Sequence, residues 1–217
     1  NQPRFSCFRS VRGGLSLLAF AILVVASTAP VAIAAEMPSN EELQRATDMA
    51  YEKFKGLKDG ANADYIPFLA EVPSELFGVA IVTVDGDVVT AGDVDHHFSI
   101  QSVSKPFVMA MVMQEQGIDA VQQKIGVEPT GMPFNTIIAI ELNKQRSINP
   151  LVNAGAIAAV SMIEAADPAQ RWGKIERGFN DFAGEELSVL EEVYTSEAES
   201  NFRNVSIAYL LYNYERL

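Results

Sequence analysis

The sequence predicts a mixed α/β chain of the α+β kind: one leading helix, one β-hairpin, then a long succession of helices. Three observations predict it. A capping box at Ser39 opens a stretch of helical periodicity. A β-branched apolar run from Phe77 to Val84 stops at Asp85-Gly86 and resumes at Val88. From Ser102 onward, apolar residues recur at helical spacing in segment after segment.

Taken in order, residues 1–35 read as an export signal. Arg4, Arg9 and Arg12 form a positive start with no acidic residue, and an apolar stretch runs from Leu15 to Ala26. Ala32-Ile33-Ala34 is the small-x-small pattern of a cleavage site, which places cleavage near Ala34 or Ala35. A retained membrane anchor fits less well, because the apolar core is shorter than the ~20 residues a span needs and Pro30 interrupts its tail. The expected location is periplasmic or secreted, with no stable membrane anchor after cleavage.

Ser39-Asn40-Glu41-Glu42 begins the first helix, Leu43, Ala46, Ala50, Phe54 and Leu57 give it an apolar face, and Gly60 is expected to close it. The hairpin follows. Ser102–Gln116 reads as a buried helix rich in Met, Val and Ala, with Pro106 close enough to its start to be tolerated. Met109, Met111 and Met113 read as core filling. Ile118–Ile125, Thr136–Lys144, Asn153–Ala165, Pro168–Ala183 and Asn201–Tyr214 read as further helices. One hairpin is too little sheet to cover so many helices. Either the fold is mostly helical, or further strands belong to it. No cap or stop signal precedes Leu217, so the chain is expected to be cut inside a domain.

Charge and cysteine usage exclude some functions. The 217 residues carry a net charge of −12, and the remainder is more acidic still once the signal's three arginines are gone. Such a chain has nothing with which to neutralise phosphates, so no nucleic acid is expected as partner. The single cysteine, Cys7, lies in the signal, which leaves the rest without thiol chemistry or disulfides.

The sharpest local feature is Ser102-Val103-Ser104-Lys105, an S-x-x-K pattern at a helix start. Residues three apart share a helical face, so Lys105 can reach the Ser102 hydroxyl. A desolvated lysine loses affinity for its proton and can take the serine's. The bland reading is an N-cap serine followed by a surface lysine. Two other patterns lead nowhere. Asp95-His96-His97 resembles the metal motif of one phosphoesterase family, but the chain has no other histidine. Gly126 to Gly131 has phosphate-loop glycine spacing with Met132 where lysine is required. No metal or organic cofactor is expected.

The surroundings of the S-x-x-K pattern carry more. The segment Phe98-Ser99-Ile100-Gln101-Ser102-Val103-Ser104-Lys105-Pro106-Phe107 resembles the active-site segment of the serine-dependent glutaminase family. So do four further blocks: Ala63 to Ala70, Gly126 to Asn135, Asn149 to Ile157, and Ser196-Glu197 followed by Arg203-Asn204. The resemblance implies a serine β-lactamase-like (penicillin-binding-protein-like) fold, with a mainly antiparallel central sheet packed by helices beside an all-helical region. It implies a catalytic domain over 36–217, truncated at its C-terminus, with closing strands and further site tyrosines beyond Leu217. It implies hydrolysis of L-glutamine to L-glutamate and ammonia, and a homo-oligomer. A piece of this extent is expected to be inactive.

Carried over by the resemblance, Ser102 is the nucleophile, Lys105 activates it, and Tyr65 contacts the substrate or acyl intermediate. Asn153, Glu197 and Asn204 hold the amino-acid end of glutamine. A carboxylate such as Glu197 suits an α-ammonium, and asparagine amides can donate to an α-carboxylate. Each also has a plainer reading: Tyr65 as a core aromatic at a turn, Asn153 as an N-cap, Glu197 as one more solvated charge. Two other functions compete, an exported β-lactamase or penicillin-binding hydrolase and a non-catalytic amino-acid-binding module. The first lacks an S-x-N or Y-x-N element where it would be needed. The second has no use for the Ser102–Lys105 pair.

Overall fold

The structure is a computed structural model that describes residues 37–142, 146–147 and 149–217. The export signal expected over 1–35 lies outside the described residues, as does the end of the helix expected over Thr136–Lys144. No described helix is long and apolar enough to cross a membrane.

Helix α1 spans Asn40–Phe54. Its start is the expected capping box: Glu42 N donates to Ser39 Oγ at 3.3 Å, and Ser39 N donates to Glu42 Oε2 at 2.9 Å. It closes at Lys55, not at Gly60. Gly56 withdraws helical propensity directly after Lys55, and Leu57 stays exposed with no face to bury.

Strands β1 (Gly78–Val82) and β2 (Val88–Gly92) pair antiparallel, with Gly78 opposite Gly92 and Val82 opposite Val88. The turn between them takes in Val84, so the strand is shorter than the apolar run. Thr83 N donates to Asp87 O at 2.9 Å and Asp87 N to Thr83 Oγ1 at 3.0 Å, while Gly86 adopts φ +90°. Helix α1 lies on the hairpin. Gln44 Nε2 donates to Thr90 O at 2.9 Å, and the Tyr51 ring stacks on Phe77 with centroids 5.7 Å apart.

The rest is helical. In order come α2 (Pro67–Ala70) before the hairpin, then a 3₁₀ turn (Gln101–Val103), α3 (Ser104–Gln116), α4 (Ile118–Lys124), α5 (Ile138–Leu142), α6 (Asn153–Met162), α7 (Pro168–Ala183), α8 (Glu191–Ser200) and α9 (Phe202–Asn213). Helix α6 is the centre. Its residues are apolar or small on every side, which suits a helix buried all round. Ala158, Ala159 and Met162, with Ile163 just beyond, join Val108 and Val112 of α3, Val121 and Ile125 around α4, and Ile175 of α7 in one core cluster. Ala154 joins Ile140 of α5 and Ile207 and Leu211 of α9 in a second. Met109, Met111 and Met113 pack against the first cluster, as core filling should.

Helix α7 begins and ends where its sequence signals lie, capped by Asp167, whose Oδ1 accepts from Gln170 N at 2.8 Å, and stopped by Gly184 at φ +72°. Helices α6 and α9 both end earlier than expected. Helix α6 ends at Met162, because Ile163 turns extended ahead of the Asp167 cap. Helix α9 stops at Asn213, where Tyr214 N and Arg216 N fold back onto Leu210 O and Leu211 O. The acid-rich stretch around Glu197, where no helix is expected, forms helix α8.

One glycine fixes where α6 starts. A Cβ on Gly155 would run into the backbone of Asn149 and Pro150, so the turn before α6 can approach only glycine. A Cβ on Gly178 of α7 would meet only the flexible end of Met111. Gly155→Ala is therefore expected to cost about 3 kcal/mol. Gly178→Ala should cost under about 1 kcal/mol, since helix propensity favours alanine. Thermal unfolding of the two variants checks the contrast.

Candidate active site

The turn that carries Ser102 starts from a strained residue. Gln101 has φ +46°, a left-handed backbone that costs a non-glycine residue about 1–3 kcal/mol. Its own groups hold it there. Its carbonyl accepts from Ser104 Oγ at 2.6 Å. Its side-chain Nε2 donates to Ser99 Oγ at 3.2 Å and reaches Glu197 Oε2 of α8 at 3.5 Å. Ser102 lies inside the 3₁₀ turn and not in α3 itself, and it is exposed. In a 3₁₀ turn residues three apart eclipse, so Ser102 and Lys105 still project to the same side.

Lys105, the second residue of α3, is half-buried. Its Nζ donates to Asn153 Oδ1 at 2.7 Å and stands 5.8 Å from the Phe134 ring centroid. Burial holds its pKa below the ordinary lysine range. An ammonium has only donors, so the Asn153 amide must turn its oxygen to Lys105 and its nitrogen away. That nitrogen donates to Asn204 Oδ1 at 2.8 Å. The Asn204 amide nitrogen is thereby left as a donor. One ammonium sets the orientation of two amides in series.

Asn153 is not a helix cap. Val152 occupies the cap position of α6, and the Asn153 side chain turns to Lys105 and Asn204. Its backbone N donates to Phe134 O at 2.9 Å. Asn204 sits in the first turn of α9, so both asparagines stand at N-terminal ends of helices, where partial positive charge gathers.

Glu197 is half-buried on α8 and meets the site through Gln101. Tyr65 is not a core aromatic: it is 61% exposed, in the turn ahead of α2. Its neighbour Ile66 is buried at 1%, and Phe68 N of α2 donates to Ser196 Oγ of α8 at 3.1 Å. Those two anchors set the Tyr65 turn beside the helix that carries Glu197. A cleft of about 1040 Å³ opens next to Gln101, with His96, His97, Ser99, Phe68 and Glu192 in its walls. The structure thus joins Lys105, Asn153 and Asn204 directly, and links Glu197 through Gln101.

Two residues of this arrangement carried no role in the sequence reading. Gln101 hides its role because a left-handed glutamine leaves no mark in a sequence. Phe134 could have been suspected, as an aromatic at the end of a glycine- and proline-rich loop.

Known proteins resemble this chain in sequence and in overall fold. The family model described as Glutaminase matches residues 60–217. "Glutaminase 1" of Shigella flexneri is 50% identical over 172 residues, 79% of this chain and 56% of that protein. The glutaminase of Colwellia psychrerythraea is 48% identical over 182 residues, 84% of this chain and 58% of that protein. The solved structure of "Probable glutaminase ybaS" superposes with a TM-score of 0.81 at 48% identity, covering 83% of this chain and 58% of the other. The chain therefore spans a little over half the length of these relatives. It has their serine β-lactamase-like α/β fold, and it belongs to the glutaminase family.

Proposed function

We propose that the protein is an exported glutaminase that hydrolyses the side-chain amide of L-glutamine through an acyl-enzyme on Ser102. The observation that carries the reading is Lys105, desolvated and held by Asn153 one turn from an exposed serine. In its neutral form Lys105 accepts the Ser102 proton as Oγ attacks the amide carbon. The tetrahedral intermediate collapses when the nitrogen is protonated, and ammonia leaves. Water then attacks the ester, its proton returns to the serine oxygen, and glutamate is released.

The amino-acid end of the substrate has complementary groups waiting. The unspent Asn204 donor and the N-terminal ends of α6 and α9 suit an α-carboxylate. The Glu197 carboxylate suits an α-ammonium. Tyr65, exposed in the turn that α2 holds against α8, is assigned the contact with the substrate or acyl intermediate.

Glutamate release from L-glutamine by the full-length protein tests the reading. Ser102→Ala and Lys105→Met are each expected to lower kcat by at least about a thousandfold while the protein stays folded. Undiminished release from Ser102→Ala overturns the mechanism. A labelled penicillin is expected not to acylate Ser102.

Asn204→Ala is expected to raise KM for glutamine by about ten- to a hundredfold, the worth of one hydrogen bond to a charged group. Steady-state kinetics read the effect, which should fall on KM more than on kcat.

The direction of the Lys105 shift also sets a pH profile. The neutral lysine is the active form, so kcat/KM is low at acid pH and rises as Lys105 loses its proton. Because burial lowers the pKa, that rise should be centred below the ordinary lysine value. A rise centred in the ordinary range would count against Lys105 as the base.

A further inference from the structure

Phe134 is large, apolar and 52% exposed, and it belongs to neither core cluster. Packing does not explain it. Two contacts do. Its ring stands 5.8 Å from Lys105 Nζ, and its carbonyl accepts from the backbone N of Asn153, whose side chain accepts from the same Nζ. One residue therefore meets Lys105 directly through its ring and again through the acceptor it fixes.

We propose that Phe134 is the positioning residue for Lys105, holding the ammonium between an aromatic face and the Asn153 oxygen. The loop that ends in Phe134 is tied down for that task. Gly131 takes φ +63°, Met132 N donates to Thr130 Oγ1 at 3.2 Å, and Arg203 Nη1 of α9 donates to Asn135 O at 3.3 Å. Arg203 thus connects the loop to the helix that carries Asn204. Three charged groups near the loop have partners of their own: Arg203 donates to Asn135 O, Glu197 accepts from Gln101, and Glu128 of the same loop pairs with Arg146.

The choice of an aromatic has a physical reason. Burial favours the neutral amine, whereas a ring face favours the ammonium. A base that must accept a proton and then give it up needs both states within reach. A ring offsets burial without supplying an acceptor that would compete with Asn153 for the N–H groups.

The inference rests on Lys105 being the proton acceptor of the proposed reaction, but its test does not require turnover. In the full-length protein, Lys105 is titrated by competitive labelling with acetic anhydride across pH, read by mass spectrometry at that residue. Phe134→Tyr keeps the ring, and Phe134→Leu and Phe134→Met keep the bulk without it. The tyrosine variant is expected to titrate as the parent does. The leucine and methionine variants are expected to titrate about half a pH unit lower, the size of one partly exposed ring–cation contact. Their kcat should fall by about three- to tenfold, with KM for glutamine within about twofold of the parent. A leucine or methionine variant that titrates like the parent, or a tyrosine variant that shifts as far as leucine, overturns the proposal. If all the proteins lack glutamine turnover yet the titration shift persists, the glutaminase reading falls and the role of Phe134 stands.

Discussion

A half-buried ammonium must find an acceptor, and Lys105 finds one in the Asn153 amide oxygen. Much of the site follows from that single bond. It fixes which way the Asn153 amide faces, and so which way the Asn204 amide faces. It ties the start of α3, beside the serine, to the start of α6. An unpaired lysine at this depth would draw in water or open the helix ends. A paired one lets the helices close, and it keeps the amine where its proton affinity is lowered by burial.

That bond is possible only because α6 can be buried so completely. Ala154, Ala158 and Ala159 let α3, α5 and α9 come close on different sides. Gly155 lets the Asn149-Pro150 turn press against the same helix. The tightest backbone packing thus lies within one turn of Asn153. Such packing serves more than stability. It sets the position of a side chain that must meet a lysine on one side and an asparagine on the other, and hydrogen-bond geometry tolerates little error.

Where the sequence was legible, the signal was local. The capping box at Ser39, the Asp-Gly turn after Phe77–Val84, and the Asp167 and Gly184 ends of α7 each satisfy backbone groups with residues close in sequence. Where it was not, the reason was tertiary. Helix α8 has only Val193 fully buried and offers acidic residues elsewhere, so its periodicity is faint; α2 docking through Phe68 and Ser196 supports it. Gly60 looked like a stop, but Gly56 ended the helix first. Lys105, Asn153, Glu197 and Asn204 were visible as residues of family-like blocks. The Lys105–Asn153–Asn204 chain was not, because its bonds join residues 48 and 51 positions apart.

The site also shows where local preference is overruled. Gln101 takes a backbone that alanine-like residues avoid, and the strain is retained because its three polar contacts point in three useful directions. A glycine would adopt that backbone freely, yet it would lose the amide that reaches Ser99 and Glu197. The turn therefore trades local stability for a side chain that links the serine segment to α8. The same logic applies at Phe134, an apolar ring left half in water because it faces a cation. Both residues look unfavourable when judged by propensity or burial alone. Both make sense once the charges of Lys105 and Glu197 are taken as the groups that the surrounding structure must satisfy.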